Sequence, residues 1–194
     1  CVSGVLQPDD GRVSVGNVDV TGQQPYVFAS QGVARTFQNL RLFNTLSVME
    51  NLHIGGHLVG NARHPLSRLA QRNRRVDEVI ELLDLSSVAR QPAGSLSYGW
   101  SRRVEIGRAL MNEPSVLLLD EPAAGMNPAQ ADWLSETFAR VRSLGIGLLL
   151  IEHNVSLVAS VSNHVVVLDA GKELASGRAD DVLRDPEVTK AYLG

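Results

Sequence analysis

Three short runs of apolar residues dominate the second half of the chain. The runs are SVLLLD at 115–120, GIGLLLIE at 145–152 and HVVVLD at 164–169, and turn-forming residues bound each of them. Helical segments separate them, at 128–144 and 154–162. Short apolar strands that alternate with helices are typical of a parallel sheet that helices cover on both faces. We therefore predict an α/β fold whose parallel core contains all three strands.

The first half of the chain carries shorter signals. Valine alternates with other residues in GRVSVGNVDV, 11–20, around the turn-forming pair Gly16-Asn17, and this pattern predicts a hairpin. GVARTFQ, 32–38, predicts a further strand. Residues 1–3 have the pattern of a helix end that a turn follows, and we expect a further segment before them.

Helical signals fill most of the region between these two parts. They comprise the capping-box pair Ser47 and Glu50, an amphipathic stretch at 74–85, and a helix that begins at Ser97 and ends near Met111. Residues 57–71, with a glycine and a His-Pro pair, predict a loop. We predict one domain over 1–194, interrupted over about 40–105 by a mainly helical subdomain.

Composition narrows the function classes. The chain has 194 residues, of which 44% are hydrophobic, and this is enough for one α/β domain. Its net charge of −3 argues against nucleic-acid binding through a broad basic surface. A single cysteine rules out an internal disulfide framework and fits a reducing compartment. Since no apolar run approaches the about 20 residues that cross a bilayer, we predict a cytosolic protein whose membrane role depends on a partner.

Two adjacent carboxylates, Asp120 and Glu121, end the first apolar run. Ligands bind beyond the carboxyl ends of the strands in open parallel sheets. There one carboxylate can hold Mg²⁺, which prefers one or two carboxylates together with phosphate oxygens, and its neighbour can accept a proton from an attacking water. Such a pair suits hydrolysis of a phosphoanhydride. The alternative is a polar strand end that faces solvent.

LSYGWSRRVEIGRAL, 96–110, contains a helix start at Ser97. The free N–H groups of a helix N-terminus attract anions, and Gly99 permits close backbone approach; the alternative is an ordinary N-cap. Ser97 precedes Asp120 by 23 residues, and Asp120 lies within LLLDEP. This order and spacing resemble the signature motif and the Walker B motif of ATP-binding-cassette (ABC) ATPases.

Three further motifs match the same family. ARTFQNLRLF matches the Q-loop at Gln38, where the glutamine of the family reaches Mg²⁺ and the attacking water. GMNPAQ, 125–130, matches the D-loop that crosses the dimer interface, and His153 in LLLIEHNV matches the switch histidine that contacts the γ-phosphate. The alternatives are a polar turn residue for Gln38, a loop that begins a helix at Pro128, and a structural histidine at a strand end.

The resemblance implies a P-loop NTPase-like fold that binds ATP and Mg²⁺. The implied residues are Glu121, His153 and Gln38 for catalysis, Asp120 and Gln38 for the metal, and Ser97, Tyr98, Gly99 and Asn127 for the nucleotide. In the family two cassettes close on two ATP molecules, so that the signature of one subunit covers the nucleotide of the other. The resemblance therefore implies a dimer.

Longer stretches of the chain indicate the branch of the family. ARTFQNLRLFNTLSVMENL, LLLDEPAAGMNP, LLIEHNVSLV and the terminal AYLG resemble the ATPase subunits of branched-chain amino-acid importers. That resemblance implies a peripheral ATPase on the cytoplasmic face of the inner (plasma) membrane. Its partners would be transmembrane permease subunits and a second ATPase subunit, identical or a paralogue, with no nucleic acid. Lipopolysaccharide-export ATPases are similar too and remain an alternative.

The chain departs from the family in two places. It contains no Gly-x-x-x-x-Gly-Lys-Ser/Thr phosphate loop, since neither of its lysines, Lys172 and Lys190, precedes serine or threonine. We expect a partial cassette that lacks its N-terminal strands and phosphate loop through truncation; the alternative is a naturally short cassette that pairs with a complete partner. Trp100 stands where the family signature has glutamine, and it either packs against an opposing subunit or lowers activity.

Overall fold

The computed structural model describes residues 1–36, 40–56 and 65–193. The strands are β1 (Ser14–Val15), β2 (Val18–Asp19), β3 (Val33–Arg35), β4 (Val116–Asp120), β5 (Gly147–Ile151), β6 (His164–Asp169) and β7 (Lys172–Arg178). The helices are α1 (Pro25–Ser30), α2 (Val48–Gly55), α3 (Pro65–Leu82), α4 (Tyr98–Leu110), α5 (Pro128–Ser143), α6 (Val155–Val161), α7 (Ala179–Val182) and α8 (Pro186–Leu193). Within these ranges no helix is long and apolar enough to span a bilayer.

β4 is the centre of a three-stranded parallel sheet in the order β3-β4-β5. Its residues Leu117 and Leu119 are fully buried in the main apolar core, because a strand flanks each edge of β4 and side chains from the helices pack around it. The predicted α/β fold with a parallel core is confirmed. The carboxyl end of β4 carries Asp120, so the sheet presents this residue at its edge.

β6 does not pair with the parallel sheet in the described part of the chain, so the prediction that all three apolar runs share one sheet is wrong. It pairs with β7 in a separate antiparallel sheet. Leu149 of β5 and Val166 and Leu168 of β6 are 45%, 50% and 55% exposed. A cavity of about 880 Å³, the β5–β6 cleft, is lined by both strands. An apolar run predicts a strand that avoids water, but it does not identify the neighbouring strand.

Local signals predict several element boundaries correctly. β1 and β2 form the predicted hairpin around Gly16-Asn17. Glu50 N donates to Ser47 Oγ at 3.2 Å and Ser47 N donates to Glu50 Oε2 at 2.7 Å, so both bonds of the predicted capping box are present. These elements depend on residues that are close in sequence, and such contacts are the ones that a local pattern can predict.

The helix that contains most of the predicted stretch 74–85 is longer than expected. α3 begins at Pro65, so the loop predicted for 57–71 is wrong from residue 65 onward; residues 57–64 lie outside the described part of the chain. Most side chains of 70–74 are exposed. A solvent-facing stretch has no buried stripe, and therefore no apolar periodicity marks it as a helix.

Two short elements near the N-terminus also differ from the sequence prediction. α1 is a helix that no predicted element covers, with Pro25 at its first position, where the missing N–H of proline is tolerated. Residues 1–3, predicted as a helix end, form a turn in which Gly4 N donates to Cys1 O at 2.9 Å. This turn brings Ser3 Oγ to 2.9 Å from Nη1 of an arginine on β3.

α4 packs closely against α2 and the end of α3. A Cβ on Gly107 of α4 would lie 2.7 Å from Leu52 Cδ2 and 3.0 Å from Leu83 Cδ1, so this approach requires glycine. The core side chains of the three helices belong to one apolar cluster with those of β4. These contacts fix the C-terminal half of α4 against the two neighbouring helices. The assignment of residues 40–105 to a separate helical subdomain stays a prediction.

Candidate functional site

Glu121 and His153 lie next to each other where β4 and β5 end. Glu121 follows the last residue of β4, and its N–H donates to Ile151 O of β5 at 2.9 Å. His153 Nδ1 is 3.7 Å from Glu121 Oε1, and the two side chains are 69% and 35% exposed. A carboxylate and an imidazole that are this close and open to solvent can contact the same ligand.

Asp120, the last residue of β4, carries the other predicted carboxylate. Its side chain is partly exposed, and Oδ2 lies 3.6 Å from Arg35 Nη2 on the neighbouring strand β3. The described residues contain no cluster of three or more His, Cys, Asp or Glu side chains that could enclose a metal. One accessible carboxylate is sufficient for Mg²⁺ that takes its other ligands from phosphate and water. The donor set therefore fits Mg²⁺ that arrives with a phosphate ligand.

Glu152 is a site residue that the sequence patterns did not reveal. Its side chain is 1% exposed. Oε1 accepts a hydrogen bond from Ala123 N at 2.8 Å, and Oε2 accepts from His153 N at 3.0 Å and Asn154 N at 3.1 Å. One carboxylate thus joins the loop that follows Glu121 to the loop that carries His153. One sequence feature could have revealed Glu152: it is a charged residue at the end of an apolar run. A charge that is buried in such a place needs hydrogen-bond partners.

Arg102 of α4 is a second site residue that the sequence patterns did not reveal. It is 0% exposed, and its guanidinium donates to Asp120 O at 2.8 Å and to Pro122 O at 3.3 Å. It therefore contacts the backbone on both sides of Glu121. The sequence offers no way to choose between Arg102 and the adjacent Arg103, because only the packing of α4 decides which of them faces the sheet.

Ser97 occupies the N-cap position of α4, as predicted, but its side chain does not cap the helix. By contrast, Ser47 and Asn127, at the starts of α2 and α5, each accept a backbone N–H in a capping box. Ser97 and Tyr98 are both exposed. A hydroxyl that does not cap its own helix can bond a ligand at this helix start, where the backbone N–H groups and the helix dipole favour an anion.

The predicted D-loop lies against the start of α4. A Cβ on Gly99 would collide with the side-chain amide of Gln130, so a larger residue here would displace that side chain. Asn127 Oδ1 accepts from Gln130 N at 3.0 Å, and Gln130 Oε1 accepts from Asn127 N at 3.0 Å. The structural alternative, a loop that begins a helix at Pro128, is therefore confirmed. A cavity of about 130 Å³ lies between the two segments, with Ser97 and Gly99 in its lining.

Trp100 packs on Arg103 of its own chain. The central carbon of the Arg103 guanidinium is 4.5 Å from the centre of the Trp100 ring system and 3.7 Å from that of Trp133 on α5. Trp133 Nε1 donates to Asp84 Oδ2 at 2.8 Å, and this bond, followed by the contact with Arg140, lowers the pKa of Asp84. Trp100, Arg103 and Trp133 together form a tryptophan stack that joins α4 to α5.

The structure places the predicted site residues in two groups. The sheet-edge group is Asp120, Glu121 and His153, and the helix-start group is Ser97, Tyr98, Gly99 and Asn127. Gln38 lies outside the described residues, so its roles stay predictions. The sheet-edge group has the donors and the exposure to act on a phosphate ligand, and the helix-start group has the geometry of an anion site.

Comparison with known proteins identifies the family. A family model described as ABC transporter matches residues 1–124. This chain belongs to the ABC transporter family. The high-affinity branched-chain amino acid transport ATP-binding protein BraF of Pseudomonas aeruginosa is 39% identical over 204 residues, which cover 100% of this chain and 80% of BraF. The protein LivG of Escherichia coli, which has the same description, is 35% identical with the same coverage.

Solved structures of ABC cassettes have the same fold as this ABC protein. A nucleotide-free ATP-binding cassette from an ABC transporter has a TM-score of 0.84 at 33% identity, covering 100% of this chain and 81% of that structure. The ADP conformation of an ATP-binding cassette has a TM-score of 0.84 at 34% identity, covering 100% and 80%. The predicted P-loop NTPase-like fold is therefore confirmed.

Proposed function

We propose that this ABC protein hydrolyses ATP as the energising subunit of an importer for branched-chain or other hydrophobic amino acids. The chemistry is supported by one observation, the contact of 3.7 Å between Glu121 Oε1 and His153 Nδ1 at the carboxyl end of the parallel sheet. The transport role is supported by the similar proteins BraF and LivG, whose names describe branched-chain amino acid transport.

Each residue of the sheet-edge group has a distinct role in this proposal. Asp120 holds the Mg²⁺ of the substrate MgATP, and Mg²⁺, when bound, supplies positive charge that stabilises the phosphate oxygens. Glu121 accepts a proton from the attacking water, for which its carboxylate is sufficiently exposed. His153 donates a hydrogen bond to the γ-phosphate. Gln38 contacts the metal and the same water.

The helix-start group acts on the nucleotide of a second ABC ATPase subunit, identical or a paralogue. Ser97 has an exposed hydroxyl that does not cap α4, and with Tyr98 and Gly99 it can approach a phosphate at the positive end of this helix. Asn127 lies at the same interface, where its side chain also caps α5. Closure of two subunits on two ATP molecules excludes water and completes each site.

Transmembrane permease subunits are the other proposed partners, and the protein would work at the cytoplasmic face of the plasma membrane. The docking surface for a permease would include Gln38 and the apolar residues that follow it. Phe43 is 46% exposed, and Leu40 and Leu42 are half-buried beside it. An exposed aromatic side chain of this kind is suited to a protein interface.

Hydrolysis also requires a phosphate loop, which these 194 residues do not contain. In this proposal polypeptide outside these residues supplies it, together with a strand that fills the β5–β6 cleft. β5 and β6 each pair with one neighbour among the described strands, and Leu149, Ile151 and Val166, all about half exposed, line the cleft. A parallel strand there would end beside Glu121 and His153, where the phosphate loop is needed.

Replacement of Glu121 by glutamine tests the proposed function. We expect Glu121→Gln to lower kcat for ATP hydrolysis about 10²–10⁴-fold, because the amide cannot accept the proton of water. The measurement uses the protein from its complete reading frame, assembled with its partner subunits. ATP binding should persist, since Asp120, Ser97 and Gly99 are unchanged.

Glu136→Gln is the matched control, because it makes the same substitution at an exposed position of α5. It should hydrolyse ATP at the wild-type rate. If Glu121→Gln also hydrolyses ATP at that rate, Glu121 is not the base and the proposed mechanism is wrong.

A second candidate function is a binding module that pairs with a complete cassette. It is favoured by the exposed hydroxyl of Ser97, which does not cap α4 and can therefore contact the partner's nucleotide. In that case the chain would supply only its helix-start group to the partner's nucleotide. It would show no ATP affinity alone but would change the turnover of the partner. Ser97→Ala would then remove this change, whereas Glu121→Gln would leave it intact.

A further inference from the structure

We propose that Arg102 is a positioning residue for hydrolysis, which fixes the backbone turn that carries Glu121 and joins this turn to α4. This inference rests on the proposed function, because it takes Glu121 as the base. Arg102 acts through the backbone on each side of Glu121.

Two donors on one edge of the Arg102 guanidinium reach the carbonyls that flank Glu121. Nη2 donates to Asp120 O at 2.8 Å, and Nε donates to Pro122 O at 3.3 Å. The guanidinium is planar and rigid, so both bonds can form only when the two carbonyls converge on it. The side chain therefore selects one conformation of the turn.

That conformation is an unusual one for Glu121. Its φ of 44° lies in the left-handed region, which is uncommon for residues other than glycine. Glu121 N donates to Ile151 O at 2.9 Å, and Ala124 N donates to Glu121 O at 3.1 Å. With Arg102 bound to the two flanking carbonyls, the turn is held on both sides. The direction in which the Glu121 side chain leaves the backbone follows from this conformation.

The burial of Arg102 supports a role beyond stability. It is 0% exposed, and Nη1 forms an ion pair with Glu105 Oε2 one turn later on α4, where Glu105 is 6% exposed. A buried ion pair is weak evidence for stability, since the loss of hydration offsets the attraction. Glu105 balances the charge, which lets the remaining donors of Arg102 serve the neutral carbonyls. A rigid donor that spans two carbonyls explains why arginine is used here.

Arg102 also makes the turn sensitive to the position of α4. It lies five residues after Ser97, on the helix whose start is proposed to contact the partner subunit's nucleotide. A shift of α4 would move both donors relative to the carbonyls of Asp120 and Pro122. Engagement of Ser97 in one site can therefore alter the position of Glu121 in the other through a single side chain.

Steady-state ATP hydrolysis by the protein from its complete reading frame, assembled with its partner subunits, tests the inference. Arg102→Lys keeps the charge but offers a point donor that cannot span both carbonyls. We expect kcat to fall about 10- to 100-fold, since a small misplacement of a catalytic group has an effect of this size. The KM for ATP should stay within about twofold of wild type, because the lost interaction belongs to the transition state.

One further variant guards against a simple failure to fold, and a second serves as a control. The double variant Arg102→Met with Glu105→Leu replaces the buried ion pair by apolar side chains, a change that folds often tolerate, and it should show the same fall in kcat. Arg75→Lys is the matched control, because Arg75 pairs with Glu78 three residues later and donates to Leu110 O at 3.3 Å. It should leave kcat unchanged.

The Glu121→Gln background separates positioning from a general structural role. There Arg102→Lys should cause no further fall in kcat, because the group that it positions is gone. The inference is overturned if kcat falls further in this background, or if either Arg102 variant has a wild-type kcat. It is also overturned if both Arg102 variants fail to fold. If Glu121→Gln alone turns over ATP at the wild-type rate, Glu121 is not the base, so the proposed mechanism fails and the inference fails with it. If Glu121→Gln is inactive and Arg102→Lys is not impaired, only the inference fails.

Discussion

At Glu152 one buried carboxylate accepts three backbone N–H groups, from Ala123, His153 and Asn154. The N–H of Ala123 belongs to the loop that follows β4 and Glu121. The N–H groups of His153 and Asn154 belong to the loop that follows β5. The carboxylate suits this position because it has two acceptor oxygens and no donor. It thereby maintains the short distance between the Glu121 and His153 side chains.

We expect Glu152→Gln to destabilise the fold and to slow turnover. Glutamine keeps one acceptor oxygen but presents an NH₂ group in place of the other, so at least one of the three backbone N–H groups loses its partner. A hydrogen bond to a charged group contributes about 1.5–3 kcal/mol, and the free energy of unfolding, measured by denaturant titration, should fall by about this amount. Glu136→Gln, at an exposed position of α5, is the control. Equal stabilities of the two variants would contradict the prediction.

For single residues, the sequence predicted correctly that Glu121 and His153 meet at the sheet edge. It did not predict which residues hold them there. Glu121 and His153 follow apolar runs that end at the same edge of a parallel sheet, and the structure brings them to 3.7 Å. Arg102 and Arg103 are neighbours of the same type, yet one binds backbone carbonyls and the other lies between two tryptophans. Only the three-dimensional packing of α4 separates these two environments.

Among the elements, the turn that follows α3 is joined to α5 through Asp84. Its carboxylate accepts from Trp133 Nε1 at 2.8 Å and from Arg140 Nη2 at 3.1 Å, and Arg103 of α4 lies 3.9 Å away. The hydrogen bond from Trp133, followed by the contacts with Arg140 and Arg103, lowers the pKa of Asp84 below its ordinary value of 3.8. The folded state therefore favours the charged form of this side chain.

The lowered pKa of Asp84 sets the sign of a pH effect on stability. The stabilisation is fully present above the unfolded-state value of about 3.8 and is lost as the pH falls through the folded-state pKa. Asp84→Asn should lower the free energy of unfolding at pH 7 by about 0.5 kcal/mol, as expected for a solvent-screened pair, and this difference should vanish in acid. Asparagine also tolerates the φ of 56° at this position, so the backbone is not strained.

Denaturant titration followed by tryptophan emission measures this effect, because both tryptophans of the chain lie in the tryptophan stack. Asp9→Asn, at an exposed position, controls for the loss of one negative charge. A stability difference for Asp84→Asn that stays constant between pH 7 and the acid range would show that the hydrogen bonds of Asp84 do not depend on its charge.

The types of the elements were more predictable than their partners. β4 and β6 have nearly the same apolar pattern, but β4 has a neighbouring strand on each edge, whereas β6 pairs only with β7 among the described strands. Pairing depends on residues that are distant in sequence, and the pattern of one strand does not contain this information. Capping boxes at Ser47 and Asn127 span three residues each, and only the one at Ser47 was predicted, because its Ser-x-x-Glu pattern is the stronger sequence signal.

At the scale of the whole molecule, the β5–β6 cleft interrupts the apolar interior of the described part of the chain. It separates the parallel sheet from the β6–β7 sheet, and apolar side chains from both strands line it. Exposed apolar groups beside a proposed catalytic edge are expected where further polypeptide packs. The absence of the N-terminal strands from this chain stays a prediction, and the stability of residues that line the cleft can test it.

We expect Leu149→Ala to have different effects in the 194-residue chain and in the protein from its complete reading frame. Leu149 is 45% exposed here, so its truncation in the shorter chain should change the free energy of unfolding by less than about 0.5 kcal/mol. If a strand fills the cleft in the longer protein, the same change removes buried surface and should cost about 2 kcal/mol or more. Leu144→Ala, at a position on the end of α5 that is 57% exposed, is the matched control and should be nearly neutral in both. Equal, small effects of Leu149→Ala in the two proteins would mean that the cleft stays open, and would favour the binding-module function over ATP hydrolysis by this subunit.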